Sequence, residues 1–138
     1  MLGRKEVIMS RFMLGNVRVV KPAKVRSNEN GSHTVTLMVA EGEDNVFFLQ
    51  EYVAPDKDVT KNRLYTRIIG EALNVEGEIG GRIYQNKNGD NTYAMNLNVH
   101  KLTYLTTNEQ RKALWNKHQD KYQQAVPVPQ EEELESPL

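Results

Sequence analysis

The sequence predicts an all-β fold: a small five-stranded Greek-key barrel with a short helix between the third and fourth strands. Three observations lead there. Five stretches carry the two-residue apolar alternation or the β-branched richness of strands; clusters of Gly, Asn, Asp and Pro separate them; and a single helical spacing interrupts the series, after the third stretch. A chain of 138 residues suits one domain with an appendage, and 38% hydrophobic residues are enough for a core.

The first strand is read in MSRFMLGNVRVV (9–20), where Gly15-Asn16 marks a bulge or bend and Pro22 ends the run. After the turn cluster SNENGS (27–32), HTVTLMVAE (33–41) alternates Val35, Leu37 and Val39 with Thr34, Thr36 and Met38, as a half-buried strand does. GEDN (42–45) turns the chain into a third strand, VFFLQEYVA (46–54). In the next segment Asp58 is a candidate N-cap, Leu64, Tyr65, Ile68 and Ile69 repeat with helical spacing, and Gly70 is a stop signal. A helix over about 59–69 follows. LNVEGEIGGRIYQ (73–85) is the fourth strand, expected to bend strongly at Gly77, Gly80 and Gly81. NKNGDN (86–91) is a turn, and TYAMNLNVHKLTYL (92–105) the fifth strand. This β-β-β-α-β-β order is that of the OB-fold.

Beyond Leu105 the pattern changes. Residues 106–124 hold helix formers behind Asn108, a candidate N-cap, but few apolar positions: Ala113, Leu114, Trp115 and Tyr122. The segment reads as a marginal helix, with Trp115 either docked on the barrel or a neighbouring subunit, or incidental to a spacer. From Val126 on, prolines and acids predict a disordered tail. The expected division is an OB-fold domain over 1–105, a helical or linker segment over 106–125 and an acidic interaction tail over 126–138.

Cysteine is absent, which excludes disulfides, thiolate metal sites and cysteine nucleophiles. No apolar run approaches the roughly 18 residues of a membrane span, and the N-terminus does not look like a secretory signal, so a cytoplasmic protein is expected. The formal net charge of +0 is a sum of unlike parts. Residues 1–30 carry seven cations against two carboxylates, while EEELESPL at the end carries four carboxylates and no cation. Such asymmetry suits a polyanion at one place and a basic partner at another.

Catalysis is not expected. His33, His100 and His118 have no metal-ligand spacing, and no nucleophile elbow or phosphate-binding Gly-rich loop occurs. Asp56/Asp58 and Glu76/Glu78 are the acid pairs a small metal-dependent nuclease would use; a loop pair and a solvent-facing strand edge explain them more simply. Neither cofactor nor metal is expected.

Aromatic residues interleaved with cations are what stand out. Phe47, Phe48 and Tyr52 lie on the third strand, Arg82, Tyr84 and Lys87 on the fourth strand and its turn, and Tyr93 follows. Unpaired bases are flat and strung on a polyanion, so binding them irrespective of sequence needs exposed rings beside Lys or Arg. Base stacking is assigned to Tyr84, Phe47, Phe48 and Tyr93. Phosphate contact is assigned to Arg11, Arg18, Lys21, Lys24, Arg26, Arg82 and Lys87. Alternation sends Phe47 and Phe48 to opposite faces. The expectation is Phe48 inside with Val46 and Phe47 outside, with both kept as candidates.

At this point the chain resembles the bacterial and phage single-stranded DNA-binding protein (SSB) family, over about residues 8–105. The likeness rests on FMLGNV (12–17), HTVTLMVAEGED (33–44), NVFFLQEYV (45–53) and, above all, LNVEGEIGGRIYQNKNGDNTYAMNLNV (73–99). It implies an OB-fold that coats single-stranded DNA without strong sequence preference in replication, recombination and repair. It places Tyr84 at a stacking position usually held by Trp or Tyr. It also implies a homo-oligomer, a tetramer rather than a dimer. The acidic tip, Glu131, Glu132, Glu133, Glu135, Pro137 and Leu138, resembles the family's partner-recruiting terminus. Asn45-Val46 at the third strand and Leu138 at the end depart from the family pattern, marking a divergent member. The alternative is an OB-fold adaptor, RNA-binding or primosome-type, whose aromatics serve a protein interface.

Overall fold

The computed structural model describes residues 10–122, without the side chains of residues 82–84 and 93–94. Six strands run in the order β1 (Ser10–Val19), β2 (Lys24–Ser27), β3 (His33–Glu41), β4 (Asn45–Val53), β5 (Ala72–Gln85) and β6 (Asn91–Tyr104). Five of them close a barrel: β1 pairs with β5, β5 with β6, β6 with β4, β4 with β3, and β3 returns to β1. All these pairings are antiparallel except β4 with β6, a parallel seam of Leu49↔Leu97 and Gln50↔Asn98. This is the expected five-stranded Greek-key OB barrel.

The core is the predicted inward set of β3, Val35, Leu37 and Val39, closed by Val17 and Val19, Leu49 and Val53, Leu73 and Val75, and Val99. Two irregularities let the strands curl around it. Between Leu14 and Val17 the β1–β5 register shifts, and Asn16 adopts φ 53 with its N–H donated to Asn74 Oδ1 at 2.8 Å. The Gly15-Asn16 signal thus marks a true bulge. The second shift falls between Glu76 and Gly77, where a Cβ would overlap the Asn98 carbonyl and the Phe12 ring edge. Gly77 is therefore required by close packing of backbone on backbone.

Three expectations need correction. First, β2 has no counterpart in the sequence reading: its four residues are all exposed, so they carry no burial pattern. Pairing with β3 and the 28–31 turn hold it instead, with Asn28 N–H donating to Ser32 O at 2.8 Å. Second, the helix over about 59–69 is a single 3-10 turn, Val59–Lys61, capped by Asp58 as expected. Asn62 stops it, because its Oδ1 accepts the N–H groups of Leu64 (2.8 Å) and Tyr65 (3.1 Å) and replaces a helical ladder with turns. Leu64 and Ile68 are buried, so the helical spacing reflected core demand.

Third, the C-terminal helix α1 (Asn108–His118) is capped by Thr107, not Asn108. Thr107 Oγ1 accepts from Gln110 N–H and Gln110 Oε1 accepts from Thr107 N–H, a full capping box. α1 docks on the barrel through an ion cluster. Arg111 is wholly buried, its Nε 3.0 Å from Glu71 Oε2, an ion pair without hydrogen-bond alignment, while its Nη2 donates to Thr66 O at 2.8 Å. Arg67 Nη1 meets the same Glu71 oxygen at 3.0 Å, and Glu71 Oε1 accepts from Ile68 N–H at 2.7 Å. Burial lowers the Arg111 pKa, and Glu71 opposes that shift. Leu114 packs over Gly70. Beyond α1, Tyr122 accepts the Ile69 N–H at 2.8 Å and sets its ring 5.2 Å from that of Trp115. The marginal helix is thus docked, and Trp115 packs half-buried on Tyr122, which is itself bonded to the barrel at Ile69.

Candidate functional site

Leu49 and Val53 must reach the core, and both are buried on β4. Counting back by twos from Leu49 turns Phe47 inward, where it packs half-buried against the core. Val46, Phe48, Gln50 and Tyr52 then share the outer face. Phe48 is 55% exposed, Tyr52 59% and Val46 46%. The expected phase was therefore inverted: Phe48 and Val46 are outside and Phe47 is inside. Val46 and Phe48 are as apolar as Phe47 and Leu49, so alternation alone could not choose. The four-residue spacing of Leu49 and Val53, with Leu49 paired to Leu37, was the signal that could have decided it.

Directly opposed residues share a face of the sheet, so the register builds the surrounding surface. One row runs Arg26–Thr34–Tyr52, the next Lys24–Thr36–Gln50, a third Met38–Phe48. Lys24 and Arg26 thus stand two strands, roughly 10 Å, from the β4 side chains on their rows. The middle row continues through Asn98 and Glu78 to Arg11. There the charge is mixed: Glu78 opposes Arg11 and pairs with His100 Nε2 at 3.4 Å. Arg18 is exposed on β1, but its Nη1 donates to Gly70 O at 3.3 Å, toward the α1 side. Lys21 is exposed in the loop between β1 and β2.

Of the predicted cations, Lys24 and Arg26 are brought onto one surface with a predicted ring, Phe48. Tyr52 joins them; it stood among the interleaved aromatics of the sequence without a stacking role. Arg82 and Tyr84 lie on β5 opposite Ala94 and Thr92, and Tyr93 on β6 opposite Ile83. The side chains of Arg82, Tyr84 and Tyr93 lie outside the described residues. Lys87 is exposed in the turn that Asn86 organises by accepting from Asn88 N–H (2.9 Å) and Asp90 N–H (3.1 Å). The tail residues Glu131, Glu132, Glu133, Glu135, Pro137 and Leu138 also lie outside the described residues.

Of the candidate acids, Asp58 and Glu78 have local partners, Glu78 being the one paired with His100. Asp58 Oδ1 accepts from the Thr60 hydroxyl at 2.7 Å and the Thr60 N–H at 3.0 Å, and those bonds hold its carboxyl below the usual range. Glu51, in the inward phase of β4, is neutralised by Arg63, whose Nη2 and Nε donate to its Oε2 at 2.6 and 2.9 Å. Among the described residues there is no cluster of three or more metal-ligating acids or histidines, and no helix long and apolar enough to cross a membrane.

No protein-family model matches the chain, and no curated protein does. Solved structures match it. The mitochondrial single-stranded DNA-binding protein Rim1 of S. cerevisiae, in its first crystal form, aligns at a TM-score of 0.50 with 12% identity over 71% of this chain and 97% of that one. Its second form aligns at 0.48 with 12% identity, over 72% and 97%. At that identity the likeness of the first form concerns the fold alone, and it agrees with the barrel topology described above.

Proposed function

We propose that this chain binds single-stranded DNA, without strong sequence preference, along the outer face of β2, β3 and β4 and the β5–β6 hairpin. One observation carries the reading: Phe48 and Tyr52 stand exposed on the outer face of β4, with Lys24 and Arg26 two strands away in the same sheet. A folded chain that leaves two large rings in water on a closed barrel forgoes the burial that aromatic residues ordinarily supply. Stacked bases return that burial, at about 1–3 kcal/mol per ring. Lys24 and Arg26, helped by Lys21 and Lys87, neutralise phosphates. Arg82 and Tyr84, in the register phase of Glu78, extend the path on the hairpin, whereas Tyr93, opposite Ile83, falls in the other phase.

The biological role that fits is coating and protecting single strands during replication, recombination and repair, in the cytoplasm. Five cations per chain make a short basic path, and a homo-oligomer, a tetramer before a dimer, would join several of them. The acidic tip, Glu131 to Glu133 with Glu135, Pro137 and Leu138, recruits basic partner proteins as a portable peptide.

Fluorescence anisotropy of labelled oligo(dT) tests the central reading. Binding at low ionic strength should weaken with salt, with a slope near −0.7 per phosphate neutralised. Phe48→Ala and Tyr52→Ala should each weaken it about 5- to 150-fold with the fold intact. A protein that ignores oligo(dT) at low salt overturns the proposal. The adaptor reading is favoured only if Val46, Met38 and Phe48 prove necessary for a protein complex and not for oligo(dT) binding.

A further inference from the structure

Resting on the single-strand reading above, we propose that a cleft beyond the end of β4 is a further nucleotide subsite, continuous with that path at Tyr52. It holds one backbone phosphate between Lys57 and Lys61, with that nucleotide's base on Tyr52. The cleft has a volume of about 500 Å³ and is lined by Glu51, Tyr52, Val53, Lys57, Asp58 and Lys61, among others. That size lies within the roughly 300–1,000 Å³ of small-ligand pockets. Neither lysine figured in the sequence analysis, because each sits in a polar loop where a cation is unremarkable.

The charge balance of the cleft gives the argument. Glu51 is bound by Arg63, with Asn62 Nδ2 also donating to its Oε1 at 3.1 Å, so it repels no incoming anion. Asp58 has its Oδ1 committed to Thr60, and its remaining charge offsets only one of the two lysines. Among the described residues neither Lys57 nor Lys61 enters an ion pair. The cleft therefore keeps one net positive charge, which suits a single phosphodiester. Position adds to this. Tyr52 belongs both to the cleft and to the row Arg26–Thr34–Tyr52, so it joins the cations of β2 to those of the cleft. A strand lying on that ring would leave β4 into the cleft.

Anisotropy titrations with oligo(dT) of graded length, at several salt concentrations, decide the matter. Four proteins are compared: the wild type, Lys57→Gln/Lys61→Gln, Phe48→Ala, and the control pair Lys112→Gln/Lys121→Gln on the distant helical segment. The cleft pair should lower the salt slope by about 0.7 and weaken binding about fivefold. It should also shorten by about one nucleotide the length at which affinity levels off, while the control pair changes affinity less than twofold. If the cleft pair leaves slope and length dependence unchanged while Phe48→Ala weakens binding, the subsite is wrong and the single-strand reading stands. Equal losses from the cleft and control pairs would reduce the effect to net charge and overturn the subsite too. A wild type that does not bind oligo(dT) removes the reading on which the subsite rests.

Discussion

The molecule treats charge and apolar rings in opposite ways at its two ends of interest. Where α1 meets the barrel, Glu71 and Arg111 are wholly buried, with Arg67 beside them. On the outer face of β4, Phe48 and Tyr52 stand more than half exposed. Burying ions is costly, and the return is geometric: a carboxylate shared by two guanidiniums admits one arrangement of the 66–71 loop against α1. Exposing rings forgoes stabilisation and keeps surface for a ligand. The first region is built for a fixed internal fit; the second, on the proposed function, serves an external one. Substitutions in the two should therefore fail in different assays.

The largest expected effect is on the buried side. Glu71→Ala leaves two guanidiniums in the interior without their counter-charge and should cost about 3–5 kcal/mol of unfolding free energy, measured by urea denaturation. Arg111→Ala should lie at the lower end of that range, because Arg67 still faces Glu71. If both changes cost under 1 kcal/mol, the ion cluster is no anchor.

The pair Phe47→Ala and Phe48→Ala sharpens the contrast within one strand. Phe47→Ala should lose about 2–3 kcal/mol of stability, less than a fully buried ring because the residue is half-buried. Phe48→Ala should change stability by no more than about 0.5 kcal/mol while weakening oligo(dT) binding. The reverse pattern would restore the phase first expected from the sequence. Next comes Gly70→Ala. With φ at 97 and the new Cβ 2.7 Å from Leu114 Cδ2, it should cost about 1–3 kcal/mol, detectable as a lowered Tm. Smaller than the Gly70 change, and without effect on oligo(dT) binding, should be Thr107→Ala, which removes one half of the capping box and about 1 kcal/mol.

The same contrast explains what could be read in advance. The β3 alternation, the bulge at Gly15-Asn16, the Asp58 cap and the Gly77 bend each rest on local chemistry, and each was legible. Burial phase in β4 was misread, since four consecutive apolar residues, Val46 to Leu49, satisfy either face and only the spacing of Leu49 to Val53 separates them. β2 was invisible because a four-residue strand with every side chain in solvent has no apolar pattern. The anchor of α1 was missed for a different reason. The reading looked for apolar residues facing the barrel, and an arginine does that job through a partner forty residues earlier in the chain. At the candidate site the mixture of rings and cations was legible as composition. Which of them share a surface depended on cross-strand register, which alternation does not encode.

β2 closes no part of the barrel; it rides on the β3 margin and, among the described residues, pairs with nothing on its far side. Such an open row of backbone donors and acceptors invites a strand from another molecule. Lys24 and Arg26 lie along that row, so the cations that would hold phosphate also make self-association there electrostatically unfavourable. On the proposed function, nucleic-acid binding and solubility would draw on the same two side chains: neutralising them should weaken one and endanger the other, and a bound strand that cancels their charge would leave the margin open to a neighbouring copy.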